Sequence, residues 1–130
     1  MANPNIVAVT TITGNTTYLT PSGTTAVVLL PNAASSNKVF KINQIVVANT
    51  TASAANATVS LYTNGAVAQG SAPSGGTAFP VVSAISVPAN ASLIAVDKTT
   101  AIYLQEGTSI TVTSGTGSAL TYSISYEDIS

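Results

Sequence analysis

Leu120-Thr121-Tyr122-Ser123-Ile124-Ser125-Tyr126-Glu127-Asp128-Ile129 alternates apolar and small polar side chains without a break from Leu120 to Tyr126. A period of two puts Tyr122, Ile124 and Tyr126 on one face of an extended chain and Thr121, Ser123 and Ser125 on the other. That is a strand with one face on a core and one face lined by Ser and Thr. The same alternation runs through Ser109-Ile110-Thr111-Val112-Thr113. It runs again through Ala57-Thr58-Val59-Ser60-Leu61-Tyr62.

Working outward from these runs, strands are expected over residues 6–12, 16–20, 26–30, 39–49, 57–63, 80–87, 92–96, 101–104, 109–113 and 120–129. In 39–49 the phase slips: Phe40 and Ile42 share one parity, Ile45 and Val47 the other. The slip at Asn43-Gln44 predicts a β-bulge, with a strand buried on both faces as the alternative. Turn formers separate the runs at Gly14-Asn15, Pro21-Ser22-Gly23, Pro31-Asn32, Asn64-Gly65, Pro88-Ala89-Asn90, Glu106-Gly107 and Gly115-Thr116-Gly117. Asn64-Gly65 carries the strongest hairpin signal. Residues 69–77, with Pro73 and Gly75-Gly76, read as the longest loop and are too short for a domain linker. The Ala-rich pieces are too broken for a helix. About 8–10 short antiparallel strands in 130 residues predict an all-β fold: one β-sandwich domain over 1–130, of jelly-roll type, with residues 1–8 as an extended N-terminal arm.

Composition narrows the function. The chain has no Cys, His or Trp. Without Cys there is no disulfide framework, thiol catalysis or zinc ribbon. Without His the chain alone cannot build a Ser-His-Asp triad or a His-ligated zinc centre. We therefore expect no enzyme, no catalytic residues, no cofactor and no metal. The four carboxylates Asp97, Glu106, Glu127 and Asp128 follow no calcium-loop pattern and sit at expected turns and strand ends, where they keep the chain wet. Ser74-Gly75-Gly76-Thr77 lacks the Lys and the helix of a phosphate loop. The Asn-x-Thr/Ser matches at Asn15, Asn49, Asn56 and Asn90 are accidents of a composition rich in those residues.

Charged residues make up 5% of the chain, against about 25% in an ordinary soluble domain. Three Lys and no Arg supply no basic stripe, so nucleic acid is not an expected partner. No apolar run approaches a spanning helix, so no membrane is expected either. Ala2-Asn3-Pro4-Asn5 shows neither a basic nor an apolar leader segment, and the protein is expected to stay in the producing cell or leave by lysis. Lys38 and Lys41, around Phe40, read as edge-protecting or solubilising charges. A β-rich chain with so few charges self-associates unless its edges are covered, which predicts a homo-oligomer or a lattice-bound protein.

Several segments resemble a known group. They are residues 1–7 (Met-Ala-Asn-Pro-Asn-Ile-Val), 38–49 (Lys-Val-Phe-Lys-Ile-Asn-Gln-Ile-Val-Val-Ala-Asn), 85–93, Asp97-Lys98, 102–110 and the ending Tyr126-Glu127-Asp128-Ile129. Together they resemble small virion structural proteins of tailed phages of marine bacteria, especially cyanophages. The likeness covers most of the chain and is loosest over residues 65–80. It implies a structural virion protein, assembled in the host cytoplasm, with the major capsid protein or other virion proteins as partners. The first expectation is a capsid decoration protein on the outer face of the head, since an Arg-free chain suits the side away from DNA. In that picture Asn3, Pro4, Asn5, Ile6, Val7 and Val9 form the interface, reaching a neighbour by strand addition. A neck, tail or head-fibre component is the alternative, and a carbohydrate- or receptor-binding module a second.

Overall fold

A computed structural model describes residues 4–130. Asn3, the first of the expected interface residues, lies outside the described residues. The strands are β1 (Ile12–Leu19), β2 (Val27–Asn32), β3 (Val39–Asn49), β4 (Ala55–Tyr62), β5 (Ala78–Val87), β6 (Ser92–Val96), β7 (Ile102–Leu104), β8 (Thr108–Ser114) and β9 (Leu120–Ile129). A single 3-10 turn, Lys98–Thr100, stands between β6 and β7.

Two antiparallel sheets pack face to face. One has the order β1-β9-β3-β6, with β7 also paired to β3; the other has the order β2-β8-β4-β5. The pairs are nested: β1 with β9, β2 with β8, β3 with β6 and β7, β4 with β5. One long hairpin rolled up on itself gives this order, and it is that of a jelly roll. Rolling brings β9 onto β3 and β8 onto β4, which makes these four the central strands.

The alternating runs put their apolar parity inside. Ile42, Ile45 and Val47 of β3, with Tyr122 and Ile124 of β9, face Val59 of β4, Ile110 and Val112 of β8, and Leu29 of β2. Each such side chain stabilises the fold by about 1.5–3 kcal/mol on burial. The phase slip in β3 is a bulge: the β3–β9 register shifts between Ile42 and Gln44, so Phe40 and Ile42 stay in the core together with Ile45 and Val47.

Four expectations are corrected. Residues 6–12 form no strand; β1 begins at Ile12 and runs through Gly14 and Asn15, the expected turn, which pair with Glu127 and Tyr126. β1 is an edge strand, so β9 fixes its register and outweighs the turn preference of Gly-Asn. Asn64-Gly65 closes no tight hairpin, because residues 63–77 link β4 to β5. A Cβ on Gly65 would lie 2.1 Å from the Asn32 carbonyl oxygen and 2.6 Å from that of Thr108, so glycine is needed here for a close pass. Pro31-Asn32 is the paired end of β2 rather than a turn.

The long loop has a structural task. Val28 N–H donates to the Ser71 carbonyl at 2.9 Å and Gly70 N–H to the Val28 carbonyl at 2.8 Å, which covers the outer edge of β2. The Gln69 amide reaches Thr17 Oγ1 at 2.9 Å and ties this loop to β1 of the other sheet.

Candidate functional site

Several of the few groups able to do chemistry are engaged in structure. Lys38 Nζ pairs with Asp128 at 3.0 Å. Lys38 stands just ahead of the central strand β3 and is an ion-pair partner of β9, while Lys41 lies within β3, so neither guards an edge strand. Asn43 Nδ2 donates to Glu127 Oε2 at 2.9 Å. Asp97 caps the 3-10 turn, accepting from the Thr99 hydroxyl and N–H, and these bonds hold its carboxyl below the usual carboxylate range. Among the described residues no three His, Cys, Asp or Glu gather to hold a metal ion. None of the helical residues described makes a helix long and apolar enough to cross a membrane. Asn49 is buried and spends its amide on the Ser53 and Val87 carbonyls, a structural corner rather than an exposed acceptor.

A shallow depression of about 320 Å³ lies on the outer face of the first sheet, lined by Asn43, Gln44, Asp97, Lys98 and Ser125. A more apolar cleft of about 280 Å³ opens where β5 of one sheet meets β7 of the other. Leu61, Tyr62, Phe79, Tyr103 and Leu104 line it. It is at the small end for a ligand site and large enough for side chains.

This cleft belongs to a wider apolar flank. β5 is exposed along nearly its whole length, with Phe79 57% accessible and Val81 and Ile85 also open. Tyr103 of β7 shares the cleft with Phe79, and Ile94 on β6, 58% accessible, lies on the outer face of the first sheet opposite Val46. The backbone of β5 is a poor template for a further strand. It carries Pro80, two register shifts against β4, and Ala84 at a φ of 48° with its N–H turned onto Thr58 Oγ1. Proline and bulges are the usual devices that keep an edge from pairing. β5 therefore presents apolar side chains while withholding a regular ladder.

The opposite flank is built differently. β1 pairs with β9 without a register shift and carries no proline and no charge. Ile12 and Tyr18 are exposed on it. Of the expected interface residues, Pro4 and Val9 are half-buried and Asn5 is exposed. Ile6 is 53% and Val7 90% accessible. Residues 4–8 do not run extended: Ala8 N–H donates to the Asn5 carbonyl at 3.2 Å and the Asn5 side chain accepts from Val7 N–H at 2.9 Å, making a turn. The segment is anchored behind that turn, where Thr10 and Thr11 N–H both donate to the Ser130 carbonyl.

The β5–β7 flank was not anticipated from the sequence. Its signal was there in Ala78-Phe79-Pro80-Val81-Val82, apolar on both parities around a proline. Proline restricts the strand to an edge, and an edge strand cannot bury both faces. Comparison with protein-family models, with curated proteins and with solved structures finds no match to this chain.

Proposed function

We propose that this chain is a non-enzymatic structural protein of a virion, and specifically a capsid decoration protein that binds the outer face of the assembled head of a tailed phage. The observation that carries the reading is a charge-poor jelly roll whose exposed large hydrophobic side chains all lie outside its four central strands, on β1, β5, β6, β7 and the segment leading into β1. Fold alone assigns no function. The weight therefore rests on this surface, together with the likeness of residues 38–49, 102–110 and 126–129 to marine phage virion proteins. Jelly rolls recur in viral capsid and lectin domains, which is consistent with either a shell or a binding role. The low charge and lack of Arg suit a protein on the side of the shell away from DNA. Such a protein stabilises the shell by binding the assembled lattice in preference to free subunits.

Copy number in purified virions, by quantitative mass spectrometry against the major capsid protein, tests this. Hundreds of copies per particle are expected. A handful moves the protein to the neck or tail, and absence from the particle overturns the virion reading.

A further inference from the structure

The edges of the two sheets are built unequally. β5 carries Pro80, two register shifts against β4 and Ala84 at a positive φ. The outer edge of β2 is covered by Gly70 and Ser71. β6 and β7 are five and three residues long, with a 3-10 turn between them. Proline, bulges, a covering loop and short length all keep an edge from pairing. β1 has none of these devices. It is eight residues long, uncharged, free of proline and in unbroken register with β9.

One pair fixes where its backbone groups point. Thr11 and Ser130 exchange both main-chain hydrogen bonds, each at 3.0 Å. Bonded and non-bonded pairs alternate along an antiparallel ladder. Continuing the register, Thr13, Asn15, Thr17 and Leu19 bond to β9, while Ile12, Gly14, Thr16 and Tyr18 turn their N–H and C=O groups away from it. Among the described residues only the Gln69 amide meets this outward row, 3.5 Å from the Tyr18 carbonyl. That is a long contact, and the exposed Gln69 side chain gives it up readily.

The same four residues lie on the outer face of the first sheet. Tyr18 is level with Ser123, Val46 and Ile94, and Ser123 has the parity opposite to the core residues Tyr122 and Ile124. Ile12 is 54% and Tyr18 72% accessible there.

Two copies of this strand complement each other. Laid antiparallel about a two-fold axis beside Asn15, Ile12 faces the partner's Tyr18 and Gly14 faces the partner's Thr16, twice over by symmetry. Each of these pairs exchanges two main-chain hydrogen bonds. Each exposed Ile12 then lies against an exposed Tyr18, and aromatic with β-branched is a favourable cross-strand pairing. A slip of two residues either way aligns Gly14 or Thr16 with its own copy, loses one pair and separates Ile12 from Tyr18.

We infer that the chain forms a two-fold dimer in which β1 pairs antiparallel with β1 of a second copy, in the register that sets Ile12 against the partner's Tyr18. The contact is isologous and consumes the open edge, so assembly by this route stops at two chains. This inference concerns the isolated chain and stands apart from its proposed place in a particle.

The chain has no Cys, so single cysteine variants read the register by disulfide capture. Asn15 and its copy form the non-hydrogen-bonded pair at the axis, about 4.5 Å apart at Cα and within disulfide reach. Gly14 and Thr16 each lie diagonally from their own copies, about 7–8 Å away and beyond it. Under mild oxidation Asn15→Cys is expected to form covalent dimer roughly tenfold faster than Gly14→Cys or Thr16→Cys. Sedimentation at high micromolar concentration reads the dimer itself. The wild-type chain is expected at twice 12.9 kDa. Thr16→Pro removes an N–H that only the junction uses, so this variant is expected to fold and to run as a single chain. Tyr18→Lys, a charge on the edge, replaces it if far-ultraviolet circular dichroism shows it unfolded. A monomeric wild type, a wild type larger than two chains, or a folded variant that still dimerises overturns the inference. So does capture through Gly14→Cys or Thr16→Cys as fast as through Asn15→Cys.

Discussion

The side-chain amide of Asn32, at the end of β2, donates to the backbone carbonyl of Leu104 on β7 at 3.0 Å, a buried bond from one sheet to the other. The same nitrogen donates to the Lys38 carbonyl, and the amide oxygen accepts from the Ser36 hydroxyl. Asn49 repeats the device at the far end of β3, donating to the Val87 carbonyl at 3.0 Å and accepting from Thr51. The sandwich is thus pinned at both ends by a buried asparagine.

Asn32→Ala and Asn49→Ala are each expected to cost about 2–3 kcal/mol, because each strands a buried carbonyl, that of Leu104 or of Val87, along with a half-buried one. The sites are at opposite ends of β3, so the double variant should add. Urea titration measures this; a loss below ~0.5 kcal/mol for either would show that the pins carry no weight.

Gly65→Ala places a methyl group against the carbonyl oxygens of Asn32 and Thr108, both main-chain atoms at strand ends. Neither can yield without opening the β2–β8 pair. A loss of about 3 kcal/mol or more is expected. Gly14→Ala, with nothing within 4 Å of the added carbon, is the control and should change stability by less than ~1 kcal/mol. Equal melting temperatures for the two variants would refute the close pass.

Tyr122 is fully buried and its hydroxyl donates to the Thr113 carbonyl at 2.8 Å. Burial pushes its pKa above the ordinary 10.0, and Tyr126 moves the same way, chiefly through burial and then through nearby Asp128. Above pH 10 the unfolded chain releases these protons before the folded one does. Stability is therefore complete below that pH and falls as pH rises beyond it. Tyr122→Phe should cost about 1 kcal/mol at neutral pH and make the alkaline decline shallower. An unchanged slope in denaturant titrations above pH 10 would contradict the assignment.

The Lys38–Asp128 pair is partly open to solvent, with the Lys side chain 44% accessible. Lys38→Met should cost less than about 1 kcal/mol, and the difference should shrink in 1 M salt. A salt-independent loss above ~2 kcal/mol would mean that Lys38 acts through packing.

What the sequence made legible was local. The alternation in β4, β8 and β9 places strands and their inner faces, and the parity slip between Ile42 and Ile45 locates the bulge. The start of β1 was not legible, because its partner β9 lies more than a hundred residues away and Gly14-Asn15 carries a strong local turn preference. Gly65 misled for a related reason: its lack of a side chain answers a steric demand from Asn32 and Thr108, distant in sequence, rather than a turn. The apolar flank escaped because sequence gives a residue's parity without saying whether its strand is central or at an edge.

The nested pairing also orders events in time. β4 and β5 are neighbours in the chain, whereas β1 is made first and its partner β9 last. Loop closure favours the inner pairs, so folding is expected to start at the β4–β5 turn and travel outward. Throughout synthesis on the ribosome, the uncharged first strand waits with neither edge paired. Soluble yield should therefore depend on how soon the ten residues of β9 arrive. A chain truncated before Leu120 is expected to aggregate through β1, however well its central hairpin has formed.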